Sequence, residues 1–299
     1  MKVILKKGFN VFYSLPGFLW LFVFFIIPTL IIVVFSFLTP GLYGGAEMPF
    51  TLSSYARIFS SSGFWNILWR TIYISAISTI LCLGLALPVS YFIATSKHKN
   101  FLLNLVIIPF WTNFLLRIFG WMVILGSNGL INSLLFNLGI IENPLNLLYK
   151  PWSVVIVIIY MYLPYMIFPI YSSIEKFNFN LLEAAMDLGA TRSKAFWKVL
   201  IPAIKGGIAA GILLVFIPAL GSYAIPQLVG GTEGAMLGNL IARELMVSRN
   251  WPSSSAISVV FLIITTFGLF VYLRINNRKV KNLKYVLRET YDIEGKENE

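Results

Sequence analysis

The chain has 299 residues, 58% of them hydrophobic and only 12% charged, with a formal charge of +11 at pH 7. A soluble domain needs roughly twice that charged fraction to cover its surface, so an ordinary water-soluble protein is excluded. A membrane β-barrel is excluded too, because its strands alternate apolar and polar residues whereas stretches such as LFVFFIIPTLIIVVFSF are apolar throughout. The composition therefore predicts an all-α integral membrane protein.

A helix crossing a bilayer core of about 30 Å needs about 20 apolar residues, and six stretches qualify. The first, Ser14 to Leu38, follows Lys2, Lys6 and Lys7. It is longer than the apolar part of a cleaved signal, about 7 to 15 residues, and no small-x-small site ends it, so it is expected to stay as an anchor. The connection Thr39 to Leu68 contains PFTLSSYARIFSSSGFWNIL, which fits a short helix on the membrane surface with Trp65 and Trp69 at the interface.

The second span, Trp69 to Thr95, holds the lone Cys82, so no intrachain disulfide or thiolate metal cluster can form. A short SKHKN turn, in which His98 reads as a solvated residue, leads to the third span, Phe101 to Leu125. Arg117 lies within it, and an ionisable residue at that depth is a functional candidate by default. It is expected to face a partner carboxylate, backbone carbonyls or a watery vestibule, holding helices in register. The fourth span, Trp152 to Ile174, contains Pro164 and Pro169; the fifth, Gly206 to Leu228, contains Pro218, Gly221 and Pro226. These residues permit kinks. After a sixth span, Ser254 to Leu273, the tail 274–299 is polar and charged.

Basic residues concentrate on one side of this arrangement. Lys97, Lys99, Lys176, Arg192, Lys194, Lys198 and Lys205 join the N-terminal lysines and the seven basic residues of the tail, against Arg57, Arg70, Lys150, Arg243 and Arg249 opposite. The positive-inside rule then places both termini in the cytoplasm. The same distribution accounts for the positive charge without nucleic acid, since no aromatic-interleaved basic groove is present.

The inner segment from Glu175 to Lys205 does not fit a membrane. Asn180 can cap a helix whose third residue is Glu183, with Leu181 and Leu182 in its first turn. Ala184 and Ala185 leave backbone accessible to another surface, and Gly189 can take positive φ and stop the helix. Thr191 can cap a second helix with Ala195, Phe196, Val199 and Leu200 on one apolar stripe, and Pro202 is expected to end it. Two short helices joined at a glycine suit the docking of another protein. An amphipathic segment lying on lipid fits the composition equally well.

The stretch EAAMDLGATRSKAFWKVLIP resembles the EAA loop of permease subunits of binding-protein-dependent ABC importers: Glu183, Ala184, Ala185, Gly189 and Pro202 stand at the family's spacing, with apolar Val199 and Ile201 as substitutes. The resemblance implies a six-span type I importer permease of the MetI-like architecture, with residues 1–13 and 274–299 flanking a membrane domain of 14–273. It also implies that Leu181 to Gly189, including Asp187, is the coupling helix seated in an ATPase subunit. PFWTNFLLRIFGWMVIL, GLINSLL, YLPYMIFPIYSSIEKF, GNLIARE and NWPSSSA are similar to the spermidine/putrescine branch. Implied partners are a second permease subunit, a cytoplasmic ATPase dimer holding ATP and Mg, and an extracytoplasmic polyamine-binding protein; another small solute is the near alternative.

A path for polycations would use carboxylates and aromatic faces. None of the 12 carboxylates lies well within a span. The candidates are therefore Trp111, Tyr160, Tyr162, Tyr165, Tyr171 and Tyr223, although any single one is more often a packing residue. Arg117 has the wrong sign for gripping a polyamine. No GxxxxGK[ST] phosphate loop, HExxH motif or Cys/His cluster occurs, so the chain is expected to hold no cofactor and perform no catalysis of its own. A secondary transporter would usually need an intramembrane carboxylate, and an enzyme a nucleophile with its base or a metal.

Overall fold

The computed structural model describes residues 15–270 together with 272 and 274. The N-terminal segment 1–13, Ser14, Val271, Leu273 and the tail from 275 onward lie outside the described residues. Among the described residues five helices are long and apolar enough to cross a membrane, and six if the bent pair Arg192–Ala203 and Lys205–Leu220, 70° apart, is one span.

The chain divides into two units. One comprises the described residues up to Ser60 and those from Glu244 onward. In it, helix α1 (Leu15–Ser36) leads to a small antiparallel hairpin, β1 (Thr39–Pro40) with β2 (Ala46–Glu47), and then to helix α2 (Ser53–Ser60). The stretch expected to hold a short surface helix contains α2, whereas Trp65 and Trp69, expected on it, lie on the long helix Ser62–Thr95; the hairpin before α2 was not predicted. The Tyr55 hydroxyl donates to Ser36 Oγ at 2.7 Å, tying α2 to the end of α1.

The other unit, Ser61–Arg243, contains the polar insert and every candidate span among the described residues other than α1 and Trp251–Phe270. Its helices are α3 (Ser62–Thr95), α4 (Lys99–Ile107), α5 (Phe114–Leu125), α6 (Leu130–Asn137), α7 (Pro151–Glu175), α8 (Asn180–Asp187), α9 (Arg192–Ala203), α10 (Lys205–Leu220) and α11 (Leu237–Ala242). Helix α12 (Trp251–Phe270) belongs to the first unit.

Small side chains let α3 and α7 pack closely. Ser75, Ser78, Cys82, Ala86 and Ser90 are fully buried at spacings of three or four along α3. With backbones this near, Ser90 Oγ donates to the Ile167 carbonyl at 3.1 Å. Gly207 and Gly211 do the same for α10: a Cβ at Gly211 would meet Met166 Sδ at 2.7 Å.

Three span expectations need correction. The second span starts earlier, at Ser62, because the Ser61 hydroxyl accepts from the Phe64 N–H and caps the helix there. Its 34 residues extend about 50 Å, well beyond the hydrocarbon core. The third span is broken: α4 tightens into a 3-10 turn, Ile108–Trp111, and α5 begins afresh after Asn113. Thr112 Oγ1 donates to the Pro109 carbonyl at 2.6 Å, and Asn113 Oδ1 accepts from the Leu115 N–H at 2.8 Å, so local polar chemistry satisfies the break. The fifth span ends at Leu220 rather than Leu228, followed by a separate π-turn, Pro226–Gly230.

Prolines act unequally. Helix α7 runs unbroken through Pro164 and Pro169, as α3 does through Pro88. A π-turn precedes Pro28 (Phe22–Ile26) and another precedes Pro202 (Phe196–Leu200). In each, the next N–H reaches back five residues, Ile27 to Phe22 and Ile201 to Phe196, and the widened turn relieves the clash of the proline ring with the carbonyl four residues earlier. Pro202 therefore does not end its helix; the bend falls after Ala203.

Candidate functional site

The polar insert folds as two short helices whose ends are set by local chemistry. Asn180 is the first helical residue of α8 rather than its cap; Asn178 fills that role, its Oδ1 accepting from the Asn180 N–H at 3.1 Å. The two residues are both Asn, which explains the displaced expectation. At the other end Gly189 has φ +88°, with the Gly189 N–H on the Met186 carbonyl at 2.9 Å and the Ala190 N–H on the Ala185 carbonyl at 3.0 Å. This pair of bonds is a Schellman closure. Thr191 Oγ1 then accepts from the Lys194 N–H at 3.3 Å and starts α9.

The two faces of α8 differ sharply. Leu182 is buried and Ala185 half-buried, packed in one cluster with Ile93, Ile170, Ile174, Ala195, Leu200 and Ile204. Movement of α8 must therefore displace the ends of α3, α7 and α9 together, because close-packed interiors transmit strain. Away from them the helix exposes Leu181, Glu183, Ala184 and Asp187, and just past the helix Leu188 is 90% exposed. Leu181, Ala184 and Leu188 recur at helical spacing, an apolar stripe left exposed among the described residues. On α9, Ala195 and Leu200 are buried while Arg192, Lys194 and Lys198 are exposed, as the sequence pattern requires.

The aromatic candidates do not form one site. Tyr162 and Tyr165 lie 6.1 Å apart on α7, and Phe110 stands edge-on to Tyr165 at 5.7 Å. Tyr160 pairs instead with Trp121 at 5.4 Å. Trp111 is 85% exposed and Tyr223 lies at the break after α10, neither joining the strip. Tyr171 is buried near the far end of α7, one turn before Glu175. Phe110 was missed by sequence reasoning; its place beside Pro109, where the apolar helix fails, was the available signal.

Among the described residues Arg117 has no carboxylate or carbonyl on Nε or Nη1, both of which are shielded and unbonded. Its guanidinium instead lies over the ring of Phe110, 4.6 Å from the centroid, and 5.9 Å from that of Phe114. A desolvated cation–π contact of about 2 kcal/mol offsets much of the roughly 2.5 to 3.5 kcal/mol that an arginine costs in mid-span. Arg117 thus links α5 to the aromatic strip.

Elsewhere in this unit, Arg70 of α3 donates Nη1 to the carbonyls of Thr232 and Glu233, and Lys150 pairs with Glu233 at 3.2 Å. A cavity of about 380 Å³ beside α6 is lined by Ser127, Asn128, Asn132, Ser133 and Asn137, with Phe136, Ile141 and Pro144. Its lining has amides and hydroxyls but no carboxylate, which makes it a poor seat for a polycation.

A family model described as the binding-protein-dependent transport system inner membrane component matches residues 3–282. The spermidine/putrescine transport system permease protein PotB of Haemophilus influenzae is 38% identical over 286 residues, covering 94% of this chain and 99% of that protein. The protein of the same description from Escherichia coli is 39% identical over 267 residues, covering 88% and 97%. A chain from the crystal structure of a bacterial ABC transporter involved in the import of alginate shares the fold. Its TM-score is 0.71 at 17% identity, covering 90% of this chain and 96% of that one.

Proposed function

The chain belongs to the family of binding-protein-dependent transport system inner membrane components, and on that premise we propose that it is the permease subunit of an ATP-driven importer of spermidine and putrescine. It is a multi-pass protein of the cytoplasmic membrane and a transport subunit. The observation that carries the proposal is the two-faced helix α8, packed into the bundle through Leu182 and apolar on its free side. The substrate assignment draws on the two PotB relatives, each similar to this chain over nearly its full length.

In this reading both termini are cytoplasmic, and the α8–α9 insert seats in one subunit of an ATPase dimer. ATP and Mg bind there, outside this chain. Closure of the dimer moves α8, the shared core carries the displacement into α3, α7 and α10, and the path opens outward. A second permease subunit completes the path, and an extracytoplasmic binding protein delivers the polyamine.

Uptake of labelled spermidine and putrescine tests this directly. Cells making the chain with its partner subunits accumulate polyamine in an ATP-dependent manner, and cells without the chain do not; ATP-dependent accumulation of a different solute and not of polyamine would overturn the substrate. The Tyr162–Tyr165–Phe110 strip is the proposed place where ammonium groups meet ring faces. Tyr165→Leu is expected to lower polyamine uptake while leaving ATPase retention unchanged. At about 0.5 to 2 kcal/mol per ring contact the loss is roughly two- to thirtyfold, and unchanged uptake would remove Tyr165 from the path.

A further inference from the structure

Two charges in this unit stand at the wrong ends of their helices. Lys99 is the first residue of α4, where the partial positive charge of a helix N-terminus disfavours a cation, and Glu175 is the last of α7, where the C-terminus disfavours an anion. Local helix stability explains neither placement. Lys99 Nζ and Glu175 Oε1 meet at 2.7 Å across 76 residues of sequence. The hydrogen bond to Glu175, with its negative charge, holds the Lys99 ammonium above its ordinary pKa, so the pair stays ionised at neutral pH.

Global stability does not explain the pair either. Both side chains are nearly half-exposed, at 45% and 42%, and exposed ion pairs contribute little to folding. Their position is more informative. Glu175 is followed by only 176–179 before α8 begins, while α4 runs on to the 3-10 turn that carries Phe110. The pair thus joins the stem of the docking helix to the element that touches Tyr165.

We propose that Lys99 and Glu175 form a positioning tie that makes α4 follow α7 when the docking helix α8 moves, so that ATPase closure reaches the aromatic strip. This rests on the coupling reading of α8. When the tie is cut, α8 still docks and ATP is still hydrolysed, but less substrate moves per ATP.

The test uses the full complex, with both permease subunits, the ATPase and the binding protein, reconstituted in lipid vesicles with spermidine as substrate. Lys99→Glu and Glu175→Lys are each expected to lower spermidine taken up per ATP hydrolysed by threefold or more, with the ATPase retained. The double variant restores the ratio to within twofold of the unaltered complex. Each single reversal places a charge favourably at its own helix end, so a purely local role predicts unchanged or raised thermal stability and no loss of coupling. Unchanged ratios in the singles, or a double variant as poor as either, would overturn the tie. Leu188→Lys separates the two readings: if it abolishes uptake while the pair variants have no effect, the tie fails and docking stands. If it too leaves uptake and ATPase retention intact, docking itself fails.

Discussion

Leu188→Lys abolishes ATP-driven uptake, lowering it tenfold or more, while the chain still folds and inserts. Leu188 is 90% exposed and closes α8 beside Gly189, so no close packing among the described residues is lost. A lysine near a helix C-terminus complements the helix dipole, and α8 itself should not be weakened. What changes is the apolar stripe of Leu181, Ala184 and Leu188, where a buried charge without a partner costs more than 1.4 kcal/mol, the equivalent of tenfold in binding. Copurification of the ATPase with the tagged chain, measured beside uptake, checks it: both fall together. Full ATPase retention by Leu188→Lys would show that the stripe faces something else.

Gly207→Leu has the second large effect, acting through folding rather than docking. A Cβ at Gly207 would fall well inside contact distance of Ser173 Oγ and of the Pro169 backbone carbonyl, and a carbonyl in an intact helix cannot give way. Helix α10 must separate from α7, with an overpacking cost of about 3 kcal/mol or more. The adjacent Gly206 has nothing within 4 Å of its added Cβ. Gly206→Ala is therefore neutral or stabilising for the isolated chain, since alanine is favoured over glycine in a helix by about 1 kcal/mol. Thermal unfolding of the two detergent-solubilised variants gives the comparison: a sharply lower midpoint for Gly207→Leu and an unchanged or higher one for Gly206→Ala. Equal midpoints would mean that α7 and α10 do not pack as described.

The parts of this architecture that were legible in the sequence are those written in local chemistry. Gly189 as a left-handed stop, Thr191 as a cap and the buried Ala195–Leu200 stripe depend on residues within a few positions of one another, and the structure has all three. The fourth span was legible for the same reason, since Lys150 and Glu175 bracket an unbroken apolar run. The breaks in the third and fifth spans were hidden because only Thr112–Asn113 and Gly221–Ser222 interrupt otherwise apolar stretches, too few polar residues to mark the end of a span. Proline alone could not locate them, because α7 absorbs Pro164 and Pro169 within a packed helix whereas α10 stops two residues after Pro218.

Long-range pairings were beyond reach of local reading. Arg70 reaches carbonyls 162 and 163 residues away, and nothing near Arg70 in sequence indicates an acceptor there. Arg117 was recognisable as a functional candidate and Phe114 is its neighbour three residues earlier on α5, but Phe110 was hidden, because its ring comes beside Arg117 only through the break at Thr112–Asn113. The tie between Lys99 and Glu175 follows the same pattern, with each charge reading as ordinary until the fold joins them.

The central claim is that the free face of α8 contacts a separate ATPase subunit during transport, and Leu188→Cys measures that contact directly. Cys82, the chain's single cysteine, is fully buried, so the new thiol is the accessible one. In the assembled, working complex a short thiol-reactive cross-linker at this position is predicted to join the chain to the ATPase subunit, with a yield that changes on ATP binding. A complex that continues to import polyamine while this thiol reacts only with lipid-borne reagents and never with the ATPase would contradict the account.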